Sequence, residues 1–164
     1  MSPPTWVPGQ VLASADVNSW FVPLVALKTS NQSVTSSTTP VNDTQLFLAL
    51  PINTTYYIQG VVLFDAASGG DIKLNITVPT GATCNVASNN RTLSAVAQNW
   101  LPMNTNQVSS AGSGAGTTLC ISWFGIVTMS STAGNTQVVW AQNTSNATAT
   151  RVFTNSVMLG TRIS

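Results

Sequence analysis

The side chains able to do chemistry are few. The carboxylates are Asp16, Asp43, Asp65 and Asp71, the thiols are Cys84 and Cys120, and the chain has neither His nor Glu. Without imidazole, His-based triads, zinc proteases and di-iron sites lose their base or their ligands. A paired-carboxylate hydrolase needs two acids to converge. Asp65 and Asp71 are nearest in sequence, so a cleft shared by these two is the condition for that chemistry. No Asp-x-Asp-x-Asp run is present to cage calcium. Neither Cys has an imidazole to activate it, and both read as buried free thiols rather than a disulfide. Gly112-Ser113-Gly114-Ala115-Gly116 alternates glycine with small residues, but no Lys follows and a strand comes next. It reads as a flexible loop, not a phosphate cradle. The expectation is a chain with no catalytic residue, no metal site and no cofactor.

Charge narrows the partners further. Five basic residues stand against four acidic ones for a net charge of +1, so 5% of the chain is charged where about a quarter is usual. No basic stripe can neutralise several phosphates or hold anionic lipid, which argues against nucleic acid and membrane surfaces. Small neutral residues take the place of charge: Thr, Ser and Asn number 23, 19 and 15 among 164 residues. A surface so poor in charge opposes association weakly, and the inference is that copies of the chain or a larger assembly cover much of it. The start lacks a basic n-region, and no 18 apolar residues run together, so neither a cleaved signal nor a membrane span is expected. Sequons at Asn31, Asn53, Asn75, Asn90, Asn143 and Asn146 follow from the Asn, Ser and Thr content.

The elements that must position these residues fall into two parts. Residues 1–28 read as an N-terminal anchoring arm. Pro3, Pro4, Pro8 and Pro23 bracket one short helix around Ser14-Ala15-Asp16-Val17-Asn18-Ser19-Trp20-Phe21, with Ser14 as its cap and Asp16 at its positive end. Val17, Trp20, Phe21 and Leu24 repeat at i, i+3, i+4 and i+7, an apolar face on a helix too short to stand alone. Trp6, Val7, Val11 and Leu12 add apolar contact upstream. The arm either folds back on its own domain or inserts into a neighbouring protein, and the anchor is the expectation.

Residues 29–164 read as an all-β, antiparallel sandwich or jelly-roll-like domain of about eight strands, serving trimerisation and surface display. Asp71-Ile72-Lys73-Leu74-Asn75-Ile76-Thr77-Val78 alternates strictly and is half buried. Further strands are expected at 31–39, 45–50, 55–64, 91–97, 118–129, 136–142 and 151–163, the last broken near Asn155-Ser156, between turn-rich separators. The strands at 55–64 and 118–129 carry apolar residues in both phases, so each needs a core on one side and a cover on the other. Trp123, Phe124 and Trp140 are the candidates to supply that cover against sister copies. The alternative is that loops and the arm cover them. Five Trp and two Tyr on a sandwich also admit sugar-stacking platforms, which keeps a host-surface glycan as a possible ligand.

Two stretches carry a family resemblance. Thr5-Trp6-Val7-Pro8-Gly9-Gln10-Val11-Leu12-Ala13-Ser14-Ala15-Asp16-Val17-Asn18 resembles the W-x-x-G-Q-V-L-T-A-A-D-V-N opening of small virion proteins of tailed phages, particularly those infecting actinobacteria, an opening that also introduces tail-fibre chains. Trp140-Ala141-Gln142-Asn143-Thr144-Ser145-Asn146-Ala147-Thr148-Ala149-Thr150 is similar to a W-A-Q-N-T-S-N-A-T-A-T segment near the end of the same proteins, and Asn42-Asp43-Thr44-Gln45-Leu46 and Asp71-Ile72-Lys73 also fit. The resemblance implies a homotrimer on the virion surface, assembled in the bacterial host cytoplasm and mounted by its N-terminus. It implies a capsid decoration or head-fibre subunit on the major capsid protein, or a minor tail protein on a tail protein.

Overall fold

The computed structural model describes residues 7–11, 13–91, 96–99 and 107–164. Strands dominate because Val, Ile and Thr alternate with polar residues between turn-forming clusters, a pattern suited to a half-buried pleated surface. In chain order they are β1 (Leu24–Leu27), β2 (Gln32–Val34), β3 (Val41–Leu50), β4 (Thr55–Asp65), β5 (Ile72–Thr77), β6 (Thr83–Arg91), β7 (Val96–Asn99), β8 (Val108–Ser110), β9 (Leu119–Thr128), β10 (Gly134–Gln142), β11 (Thr150–Val152) and β12 (Val157–Arg162). They form two antiparallel sheets facing each other. The larger runs β1-β12-β4-β9-β6-β7, with β11 joining β4 and β2 joining β11; the smaller runs β3-β10-β5-β8.

The sheets enclose one core. Its floor on the smaller sheet is Leu46, Leu48, Leu50, Ile72, Leu74 and Ile76, and its roof on the larger includes Ile58, Val62, Phe64, Ile121 and Met158. Gly60 makes room in that roof. A Cβ there would lie 2.3 Å from Cζ2 of Trp123, its partner across β4 and β9, so only glycine lets the indole lie flat on the neighbouring strand.

Several elements differ from the sequence reading. Val41–Leu50 is a longer strand than residues 45–50, because Asn42 and Asp43, residue types that favour turns, sit inside it. Thr83–Arg91 is a strand despite its Asn, Ser and Ala content, since its Cys84 and Val86 fill the core. Residues 24–27 of the presumed arm are β1, paired with β12 from Leu24↔Gly160 to Leu27↔Val157. Ahead of β1 runs α1 (Ser14–Phe21). Ala13 occupies its N-cap with no side-chain cap hydrogen bond, so Ser14 is the first helical residue and not the cap expected of it.

Candidate functional site

Trp6 and Leu12 of the expected anchor lie outside the described residues. The others are placed as follows. Val7, Val11 and Phe21 are 62%, 89% and 65% exposed, while Val17 and Trp20 are half buried. The Arg162 guanidinium at the end of β12 lies 4.3 Å from the Trp20 ring centroid, a cation–π contact that ties α1 to the end of the larger sheet. Val7 and Val11 before that contact, and Phe21 and Val22 after it, face solvent.

Behind the helix, the sandwich is clamped by a cation that patterning gave no reason to single out. Lys28, just past β1, is fully buried, and its Nζ lies 2.9 Å from both carboxylate oxygens of Asp43 on the facing sheet. Asp43 Oδ1 also accepts the backbone N–H of Gln45 and Leu46 at 3.0 Å, and Oδ2 accepts the indole N–H of Trp140 at 3.3 Å. This saturation of the carboxylate makes burial of the pair tolerable. Gln32 closes the same corner, its Oε1 accepting the Thr44 N–H and its Nε2 donating to the Asn42 carbonyl. The backbone polar groups there are satisfied by an amide side chain in place of another strand.

Asp65 and Asp71 are both buried, and both turn to the same loop. Asp65 Oδ2 accepts the Gly116 N–H at 2.6 Å, Asp71 Oδ1 accepts the Gly112 N–H at 2.9 Å, and the Gly114 N–H donates to the Ala66 carbonyl at 3.0 Å. The loop at 112–116, expected to be flexible, is therefore pinned at three points. Its glycines follow from backbone geometry, with φ of +108° at Gly114 and +87° at Gly116. Asp65 also pairs with Arg151 through a bond from Nε to Oδ1 at 3.0 Å and a second from Nη2 to Oδ2. Burial alone would raise the Asp65 carboxyl; the Arg151 guanidinium and the Gly116 N–H outweigh it and hold the group below the usual carboxylate range. Both acids thus act as acceptors for loop and strand.

The run 140–151 is built the same way. Gln142, fully buried, accepts the N–H groups of Ser37 and Asn146 on Oε1 and donates from Nε2 to the carbonyls of Asn146 and Thr148. The Asn146 side chain accepts the Thr148 N–H at 2.8 Å, and the Thr150 hydroxyl donates to the Asp71 carbonyl at 3.1 Å. Three of the stretches that carry the resemblance, 42–46, 71–73 and 140–150, meet through hydrogen bonds from Trp140 to Asp43 and from Thr150 to Asp71 and through the pairing of β10 with β5.

The interface candidates divide. Trp123 and Trp140 are 2% and 1% exposed inside this chain's own core, so neither can cover a neighbour's strand. Their β-strand phase pointed inward, where Gly60 and Asp43 receive them. Phe124, in the opposite phase, is 46% exposed. Across the outer side of the larger sheet it lies in one cross-strand row with Val25, Leu159, Gln59 and Ala87. The adjacent rows hold Leu27, Val157, Val61, Ser122 and Asn89 on one side and Thr161, Tyr57, Ile126 and Asn85 on the other. An open groove of about 360 Å³ runs between them, over Gly60 and the backbone of β9. The thiols divide too. Both are free, but only Cys84 is buried, which pushes its thiol up to about 12; Cys120 is exposed on the outer side of β9, opposite Leu63. The expectation of two buried thiols holds for one, because residue 120 falls in the outward phase of its strand.

No protein-family model matches the chain, and no curated protein matches it. Among solved structures it is similar to that of the infectious bursal disease virus Gt strain, at TM-score 0.43 and 12% identity over 97% of this chain and 36% of that one. It is similar to the infectious bursal disease virus VP2 subviral particle at TM-score 0.41 and 10% identity, over 87% and 34%. A third similarity is to a carbohydrate-binding module from Cellvibrio mixtus lichenase 5A in complex with cellotriose, at TM-score 0.27 and 13% identity, over 83% and 95%. The chain spans about a third of the length of the viral chains it matches.

Proposed function

We propose that the chain is a noncatalytic structural subunit of a virion surface, a capsid decoration or head-fibre protein that forms a homotrimer and is mounted by its N-terminal segment on the major capsid protein or a tail protein. The observation that carries this reading is the state of that segment. Val7, Val11 and Phe21 present large apolar side chains to solvent, while the core is complete without them. Such residues gain free energy only by docking elsewhere. Surface charge agrees with assembly. Asp43, Asp65 and Asp71 are all buried, so no described carboxylate side chain stands on the surface to repel a neighbour.

Truncation tests the mounting segment. Removal must stop before Leu24, since β1 belongs to the sheet. A chain lacking residues 1–22 is expected to keep its β-sheet circular dichroism and its oligomeric mass while failing to join purified particles. Unfolding of that truncated chain would make the segment part of the domain and overturn the reading. Antibody imaging of virions separates head from tail.

A further inference from the structure

Lys28 and Asp43 bring an amine and a carboxyl together where water is excluded. We infer that the two side chains condense once the chain has folded: Lys28 Nζ joins Asp43 Cγ in an amide that ties the end of β1 to β3 across the core, and one water is released.

The surroundings of the pair point to this reaction. Nζ lies 2.9 Å from both oxygens of Asp43, so the nitrogen is held against the carboxyl carbon between them. Such confinement replaces a bimolecular encounter. Oδ1 accepts the backbone N–H groups of Gln45 and Leu46, each at 3.0 Å, the two-donor arrangement that stabilises an oxyanion. Oδ2 accepts the Trp140 indole N–H at 3.3 Å and is the oxygen that leaves. Atoms and charge balance within the pair. One ammonium proton passes to Oδ2, giving a neutral amine and acid that suit a dry interior better than two ions. The Nζ lone pair attacks Cγ, and Oδ1 takes the negative charge. A second nitrogen proton passes to the Oδ2 hydroxyl, the Cγ–Oδ2 bond breaks, water departs and Oδ1 returns to a carbonyl. The third proton stays on the amide nitrogen, with Gln32 Oε1 3.4 Å from Nζ to accept it. The Arg151–Asp65 pair cannot follow this course, because a guanidinium keeps its charge and is no nucleophile.

The link sits where the N-terminal segment enters the sandwich. Among the described residues β1 pairs with β12 alone, at the edge of the larger sheet, and the amide carries a pull on that segment across to the smaller sheet as well. Intact-mass spectrometry of the purified full-length chain, with fragmentation of its tryptic peptides, tests the inference beside K28R, which keeps the cation and cannot condense. The wild type is expected to be lighter than its sequence by one water, to resist trypsin after Lys28, and to yield Lys28 and Asp43 in one branched peptide, while K28R keeps its full sequence mass. If K28R fails to fold, the wild-type mass and the branched peptide still decide. A wild type of full sequence mass after prolonged incubation at neutral pH overturns the inference. So does a loss of water that K28R shares, or one that maps to a succinimide at another Asp in place of the branched peptide.

Discussion

The outer faces of the two sheets back onto the same core and obey different rules. On the smaller sheet β5 alternates cleanly, with Lys73, Asn75 and Thr77 pointing outward beside Gln137 of β10, while Phe47 of β3 and Val139 and Ala141 of β10 share that side. On the larger sheet the outward phase of β4, β9 and β12 includes Tyr57, Val61, Phe124, Ile126, Val157 and Leu159, with Gln59, Ser122 and Thr161 among them. Polar side chains predominate outward on β5 of the first face, and apolar ones predominate outward on β4, β9 and β12 of the second. Within one fold, strict alternation marks a strand with one wet face, and its failure in two neighbouring strands marks strands apolar on both sides.

The harshest way to break this contrast is to release the sheets from each other. Lys28→Ala leaves Asp43 charged in the core with its counter-ion gone, and is expected to cost about 3–5 kcal/mol in urea denaturation, enough to unfold much of the population. Gly60→Ala is next. It acts on the larger sheet alone, forcing the Trp123 indole off the neighbouring strand, with an expected loss of about 1–3 kcal/mol and a changed tryptophan emission. A small loss on either measure would mean the indole has room that the 2.3 Å approach denies it.

Smaller still is the acid response. Asp65 has a lowered carboxyl, so its pairing with Arg151 stabilises the fold above the ordinary carboxylate range and that contribution disappears as pH falls through its depressed value. Asp65→Asn is expected to be less stable than wild type at neutral pH and to converge with it in strong acid. Lys73→Met on the smaller sheet, where no salt bridge is recorded among the described residues, should change stability by under about 0.5 kcal/mol at any pH. Least disruptive is thiol counting in the single chain: Cys120 should react natively and Cys84 only after denaturation, at no cost to the fold.

The sequence made the two-sided apolar strands legible because both phases of 55–64 and 118–129 are visible in a linear pattern. It gave the break near Asn155 for the same reason, and Asn155 indeed adopts a φ of +66° between β11 and β12. What linear patterning could not resolve was which phase belongs to the core. That choice placed Trp123 and Trp140 inside and Phe124 and Cys120 outside, and it depends on Gly60 and Asp43 from strands distant in the chain. Lys28 escaped notice because a cation at the end of a short apolar run ordinarily marks solvent. Its meaning comes from a carboxylate 15 residues away on the other sheet. Thr83–Arg91 was missed because its polar residues are tolerated by neighbours on both sides, β9 and β7, and not by intrinsic preference.

The three-point fastening of the loop at 112–116 has a practical corollary. Ser113 and Ala115 stand exposed between anchored ends, and a Cβ at Gly114 or Gly116 would meet nothing within 4 Å. A foreign epitope grafted between Gly114 and Gly116 would be presented from a firm base, leaving the strands beneath it undisturbed, which makes this bend a ready cassette for engineering.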